Sequence, residues 1–414
     1  MYCGSCMRDN ALAAELKRQG HDVVLMPVYT PTLTDEENVS DGPVFFGGIS
    51  VYLQQKSSIF RYTPAIVDRL LFDNNWALRR ASQNSIGVTP QFLGEMTVDM
   101  LKGERGPIAK EFRKLRNWLR TEPPFDVISL PFTLLIGMAE SLRRAAPKTK
   151  IVCTLQGEDL FLEGLPEKFR RESKRLIREA IPQVDTFIAV SGYYAAFMSG
   201  YLEIPREKIR VVPIGISLEG YSPAAKTRND VVKIGYFARI DPAKGFHHLC
   251  EAFRLLRKRT GLPPLLLEAA GYMLPEHREY FAREKAAMVA AGLGSDFHYH
   301  GALSREEKIA FLQQVDLLSV PTEYVEPKGL FVLESLACGT PVVLPAHGAF
   351  PEILARTGGG ILVEPRDAHA LADSLENMIC DPERRAALGA EGAEGVRRHY
   401  SAAAMAEAQL AAFA

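Results

Sequence analysis

The sequence predicts an α/β protein made of two doubly wound parallel-sheet halves, and three observations predict it. Short apolar runs alternate with longer amphipathic ones along most of the 414 residues, the pattern of parallel strands covered by helices on both faces. Residues 218–230, within "SLEGYSPAAKTRND", hold turn formers, mixed charge and no periodicity, which reads as a linker. At this length and 47% apolar residues, the chain has material for two cores. The expected division is an N-terminal domain over 1–217, the linker, a C-terminal domain over 231–397, and a last helix over 398–414.

The chain opens "MYCGSCMRDNALAAELKRQGHDVVLMPV". Asn10 to Gln19 reads as an amphipathic helix, Gly20 as its stop and Val23 to Val28 as a buried strand, with His21 a structural residue between them. A doubly wound domain should begin with a strand, then a glycine loop, then this helix. A missing first strand would lie mid-sheet and leave two neighbours with unpaired backbone groups. The expectation is therefore that the natural chain extends upstream by a short apolar strand. Gly4 and Ser5 would then be remnants of that glycine loop. Later strand candidates in this half are "VFFGGISVYL", "DVISL", "KIVCTL", "TFIAV" and "IRVVPI". Roughly residues 55–121, polar and irregular, read as a helical lobe. The second half runs through "VVKIGYFA", "PLLLEAA", "DFHYHG", "VDLLSV", "TPVVLP" and "GGILVE".

Composition narrows the function classes. A net charge of −1 gives no reason to expect nucleic acid. Six scattered cysteines, several inside apolar runs, suit reduced thiols better than a disulfide framework. Cys3 and Cys6 form a lone CxxC, readable as a redox pair, half a metal site, or small residues in a tight loop. No apolar stretch reaches the length of a membrane span, and the expected compartment is the cytoplasm. Peripheral membrane contact is suggested by "RLLFDNNWALRR" and "KEFRKLRNWLRTEPPF", which mix basic residues with Phe112, Trp118 and Leu119. The plain alternative is that these apolar faces pack on their own domain.

The chemistry concentrates in the second half. In "IGYFARIDPAKGFHHL" a strand ends at a loop holding Arg239 and Lys244, and loops at the carboxyl ends of parallel strands are where such sheets place ligands. These cations can meet an anion or be ordinary surface charges. In "SVPTEYVEPKGLFVLESLACG" Glu326 and Glu334 are separated by seven residues, with Gly329 opening an apolar helix. Amides of Leu330 and Phe331 at that helix start favour a phosphate or sugar oxygen. Glu326 as a cap and Glu334 as a solvated helix residue are the alternatives. No Asp-x-Asp motif occurs in the chain.

Together "GYFARIDPAKG", "EPKGLFVLESLACGTPVV" and "HGAFPEIL" resemble the donor-binding half of glycosyltransferase family 4, retaining enzymes of the GT-B fold. "ALAAELKRQGHDV", "VSGYYAAFM" and "IRVVPIGI" resemble its first half. The resemblance implies two Rossmann-like domains facing a cleft, with Gly4 and Ser5 facing acceptor or phosphate there, and a last helix over 398–414 that can cross back to the first domain. It gives Arg239 and Lys244 the donor diphosphate, Glu334 the ribose hydroxyls and Glu326 the hydroxyls of the transferred sugar. The amides from Lys328 through Gly329 and Leu330 to Phe331 would cradle sugar and distal phosphate. Base contacts are expected near His300, Gly301 and the turn after Ala270. Gln156 stands where the family commonly has histidine. It can hydrogen-bond but cannot carry a proton at neutral pH, so Glu158 and Asp159 beside it are further acceptor-side candidates, with helix capping as their other reading. The implied activity is retaining, metal-independent transfer from a nucleoside-diphosphate sugar to an unknown glycan, lipid or small-molecule hydroxyl. No metal or bound cofactor is expected. An epimerase of the same fold and a silent nucleotide-sugar binding protein are the alternatives.

Overall fold

The computed structural model describes residues 4–28, 34–41, 89–224 and 231–414. It divides into two compact units, one comprising Ser5–Val212 with Ala408–Ala414, the other in the main Pro213–Glu407.

In the first unit, β1 (Val127–Leu130), β2 (Lys150–Leu155), β3 (Thr186–Ala189) and β4 (Ile209–Val211) form a parallel sheet in that order. Its helices are α1 (Gly4–Arg18), α2 (Pro90–Leu101), α3 (Ala109–Leu119), α4 (Ala139–Ala145), α5 (Glu158–Glu163), α6 (Glu167–Ala180) and α7 (Gly192–Leu202). Strand β2 is fully buried from Ile151 to Leu155, as expected for a strand covered on both faces. Local chemistry sets the helix starts: Thr89 accepts from the Phe92 amide ahead of Pro90, and Ser191 accepts from that of Tyr194.

The chain's opening differs from expectation in two ways. Helix α1 starts at Gly4, so Gly4 and Ser5 lie in its first turn rather than in a loop. Tertiary anchors override the local loop signal: Arg8 is buried with its guanidinium on Asp9 and Gln409, and Asn10 is buried with Nδ2 donating to the Glu37 carbonyl and Oδ1 accepting from Val39 N. Among the described residues, 23–28 make a single bridge, Leu25 with Ser40, and form no strand. Val24 is exposed and Pro27 has no N–H to give a ladder.

"VFFGGISVYL", Cys3, "RLLFDNNWALRR" and much of the expected lobe lie outside the described residues. The described remainder supplies α2 and α3. Helix α2 packs closely on α6, because a Cβ on Gly94 would stand 2.3 Å from the Phe169 ring. Phe112 and Leu119 are buried, and Trp118 packs at 6.4 Å from Phe125. The helix in the second basic segment thus turns its apolar face to its own unit. Among the described residues no helix is long and apolar enough to cross a membrane.

The second unit holds β5 (Val232–Phe237), β6 (Leu265–Ala270), β7 (Phe297–Tyr299), β8 (Leu317–Ser319), β9 (Val342–Pro345) and β10 (Gly360–Val363), in sheet order β10-β9-β8-β5-β6-β7 and parallel throughout. Helices α8 (Phe246–Leu256), α9 (Arg278–Ala290), α10 (Arg305–Gln314), α11 (Leu330–Ala337), α12 (Phe350–Thr357), α13 (Ala368–Cys380), α14 (Pro382–His399) and α15 (Ala402–Phe413) follow in sequence. The start of the expected linker is firmly packed. Tyr221 is buried, and the carbonyls of Ser217, Glu219 and Ser222 accept from Arg305 and Gln313 of α10.

Candidate functional site

Strand order in the second unit reverses between β5 and β8. These neighbours pair Ile234 with Leu317 and Gly235 with Leu318, and the chain leaves the pair in opposite directions. Connections on either side then cover opposite faces, which opens a crevice at the carboxyl ends of just these two strands. Arg239 and Lys244 follow β5. Glu326, Lys328 and Gly329 follow β8. The candidates singled out from the sequence are thus brought to one place by the topology.

Close contact between the two loops fixes them. Gly245 has φ +70°, and a Cβ there would lie 1.7 Å from the Pro321 carbonyl oxygen. The amides of Glu323 and Tyr324 both donate to the Ala243 carbonyl at 3.0 Å. Asp241 accepts from the Ala243 amide and at 2.9 Å from Arg239 Nη2, while the Arg239 carbonyl accepts from the buried Tyr236 hydroxyl. The Arg239 head is therefore held by an acid three residues before Lys244.

Lys244 Nζ makes an ion pair with Glu326 Oε2. Both are largely buried, and the ammonium also stands 5.9 Å from the rings of Tyr324 and Phe331. Burial pushes the Glu326 carboxyl up, but the charge and hydrogen bond of Lys244 outweigh it and hold the group below its ordinary value. Glu326 Oε1 accepts from Lys328 N at 3.4 Å, and the Glu326 carbonyl accepts from Ala349 N at 2.8 Å. Gly348, with φ +62°, makes the latter approach feasible, since a Cβ would come within 2.4 Å of that carbonyl oxygen. His347 in the same turn donates from Nε2 to the Thr322 carbonyl at 2.9 Å, and burial lowers its basicity.

Gly329 caps α11 in a left-handed conformation, φ +69°. Leu330 and Phe331 are the first residues of the helix, whose leading amides have no intrahelical acceptors. Glu334 lies a turn further on and is buried, not solvated. Its Oε1 accepts from Lys308 Nζ at 2.7 Å and from Tyr221 Oη at 3.2 Å. The Arg305 guanidinium stacks 5.1 Å over the Tyr221 ring. Burial and the Glu334 charge push the Tyr221 phenol up, so it stays a donor. Lys308 and Tyr221 escaped the sequence reading.

Gly301 follows β7, and its carbonyl accepts from Gly271 N at 2.7 Å. His300 bonds Glu268 at 2.6 Å through Nε2. Gly271 in turn abuts Ala238, where a Cβ would meet the carbonyl oxygen at 1.9 Å. The turns after β5, β6 and β7 therefore form one continuous rim.

In the first unit, Gln156, Glu158 and Asp159 follow β2. All three are buried. Glu158 accepts from the Thr133 amide and hydroxyl, from Gln156 N at 2.8 Å and from Tyr194 Oη at 3.3 Å. Burial outweighs these bonds and raises the carboxyl. Asp159 accepts from Tyr194 Oη at 2.6 Å. Gln156 Nε2 donates to the Pro131 carbonyl at 2.6 Å, and its buried Oε1 has no partner among the described residues. Gly157, with φ +104°, caps α5 rather than either acid. Cys153, Cys250 and Cys380 are free thiols.

Residues 96–219 match the family described as Glycosyltransferase Family 4, and residues 221–395 match Glycosyl transferases group 1. The chain belongs to glycosyltransferase family 4. A GDP-mannose-dependent monoacylated alpha-(1-6)-phosphatidylinositol monomannoside mannosyltransferase of Corynebacterium glutamicum is 25% identical over 290 residues, 66% of this chain and 70% of its own length. A D-inositol 3-phosphate glycosyltransferase of Stackebrandtia nassauensis is 25% identical over 404 residues, 92% and 89% of the two chains. The HepE structure of Anabaena, solved with UDP, aligns with TM-score 0.63 at 19% identity, covering 75% of this chain and 83% of that one. Sucrose-phosphate synthase of Thermosynechococcus elongatus aligns at TM-score 0.61 and 22% identity, over 74% and 76%. This family member is a glycosyltransferase of the GT-B fold.

Proposed function

We propose that this glycosyltransferase moves a hexose from a nucleoside-diphosphate sugar to an acceptor hydroxyl, with retention at the anomeric carbon and without a catalytic metal. One observation carries the reading: two cations, an acid and a helix start converge at the carboxyl ends of β5 and β8. Cleavage of a sugar–diphosphate bond builds positive charge on the sugar ring and negative charge on the leaving phosphate. Arg239 and Lys244 supply the charge that meets the leaving group. At about 4 Å in a partly dry site each is worth on the order of a few kcal/mol before desolvation is subtracted. Lys244 is held by Glu326. An incoming diphosphate competes for that ammonium, and the released Glu326 carboxylate accepts hydroxyls of the transferred sugar. Glu334, oriented by Lys308 and Tyr221, takes the ribose hydroxyls. Proton transfer from the acceptor to a phosphate oxygen on the departing face gives retention and needs no protein nucleophile.

The named relatives make GDP-mannose the first donor to try, with UDP-sugars beside it. The expected result is release of nucleoside diphosphate that persists in EDTA, and an α-linked product from an α-linked donor by proton NMR. Absence of both binding and turnover with GDP-, UDP- and ADP-sugars overturns the donor assignment. An inverted product overturns the stereochemistry alone.

A further inference from the structure

We propose that His247, His248 and Glu323 form a binding site for a divalent transition-metal ion of the zinc class, which ties the first turn of α8 to the loop after β8. Adjacent helical residues ordinarily point apart, yet both imidazoles converge on one carboxylate oxygen. His247 Nε2 lies 3.0 Å and His248 Nε2 3.1 Å from Glu323 Oε1. The two rings stand 4.0 Å apart, and all three donor atoms fall within 4.8 Å of one another. Ligand atoms on a tetrahedral zinc, at bond lengths of about 2.0–2.1 Å, are about 3.3 Å apart. The two imidazole–carboxylate distances need a few tenths of an ångström of expansion to match.

A supporting outer layer is in place. The Tyr280 hydroxyl sits 2.8 Å from His247 Nδ1 and accepts from the His247 backbone amide at 3.0 Å. It can take an Nδ1 proton when Nε2 binds metal, the usual way such rings are oriented. Glu323 is partly exposed, which leaves access for the ion and for a water as fourth ligand. Two imidazoles and one carboxylate select zinc, cobalt, nickel or copper over magnesium, which prefers oxygen ligands. Since Glu323 N and Tyr324 N also bond the Ala243 carbonyl, the ion clamps the two loops that hold Lys244 and Glu326. The site has no part in bond cleavage.

Calorimetric titration of the metal-free full chain with Zn2+ tests the proposal without any sugar donor, so its outcome is independent of the donor reading. One equivalent should bind, at least 100-fold more weakly in His248→Ala and Glu323→Gln, with Mg2+ silent and the melting temperature raised several degrees by Zn2+ only in the wild type. Cobalt(II) on the wild type should give tetrahedral visible bands without thiolate-to-metal charge transfer, a readout that survives if a variant fails to fold. Equal binding by wild type and both variants, a thiolate spectrum, or no binding at all overturns it.

Discussion

The ion pair between Lys244 and Glu326 makes the resting site self-neutralised, and its chemistry can be read by titration. Glu326 is depressed in the fold, so its contribution to stability is present above the ordinary carboxylate value of about 4.5 and is lost as pH falls through the lower folded value. The stability difference between wild type and Glu326→Gln should be constant above about pH 5 and shrink below about pH 4.5, as measured by denaturant melts. A difference that grew on acidification would contradict the pairing. Lys244→Met should cost at least about 100-fold in kcat/KM, since it deletes charge at the leaving group. It should also lower stability, because it leaves the buried Glu326 carboxylate without its partner. Lys308→Met is expected to differ in its kinetics. It leaves the buried Glu334 carboxylate without its ammonium, costing about 3–5 kcal/mol of stability and raising donor KM more than it lowers kcat. Arg239, Lys244 and Glu326 were legible because each sits a fixed step past an apolar run. Lys308 and Tyr221 were not, because their partner Glu334 is 26 and 113 residues away, and a single sequence carries no sign of which distant charges meet.

At the level of elements, the central buried strands announce themselves as nearly continuous apolar runs, as in β2 and β9, while β4 and β7 are short and interrupted by the exposed Arg210 and His298. By contrast, "DVVLMPV" has the composition of a strand but exposes Val24 and loses a donor at Pro27. Nothing in its hydrophobicity distinguishes it, since pairing depends on a neighbour. What strands do not reveal is how closely their loops approach. Gly245 and Gly261 both have positive φ, but a Cβ on Gly245 would also meet a carbonyl oxygen at 1.7 Å, whereas one on Gly261 would find none of the described residues within 4 Å. Gly261→Ala should cost about 1–2 kcal/mol, the backbone penalty alone. Gly245→Ala must in addition push the loop after β8 away, so it should lower stability further and weaken nucleotide-sugar binding at least tenfold. Thermal melts and donor titration of the two variants separate backbone strain from loop displacement. Equal effects on both measurements would show that the loops are not mutually fixed.

Over the whole molecule, the unit containing the N-terminal helix is not continuous in sequence: Ala408–Ala414 belongs to it as well as Ser5–Val212. Alanine-rich "SAAAMAEAQLAAFA" reads readily as a helix, but no local feature says what it covers, and Arg8 gave no reason to be singled out. The structure supplies the reason. Gln409 is fully buried and its Oε1 accepts from Arg8 Nη2 at 2.8 Å, while the Phe413 carbonyl accepts from Lys150 Nζ at 2.8 Å beside β2. Removing the Gln409 amide strands part of a buried guanidinium, a loss of about 1–3 kcal/mol. Gln409→Ala should therefore destabilise the unit of α1 and β1–β4 selectively. In native-state hydrogen exchange, amides of α1 and β2 should lose protection while those of β8 and β9 keep theirs. Ending the chain at Glu407 should enlarge the same local effect, because the Lys150 contact goes too. Protection lost evenly over both sheets would mean that the last residues stabilise the molecule in some way other than by closing over Arg8.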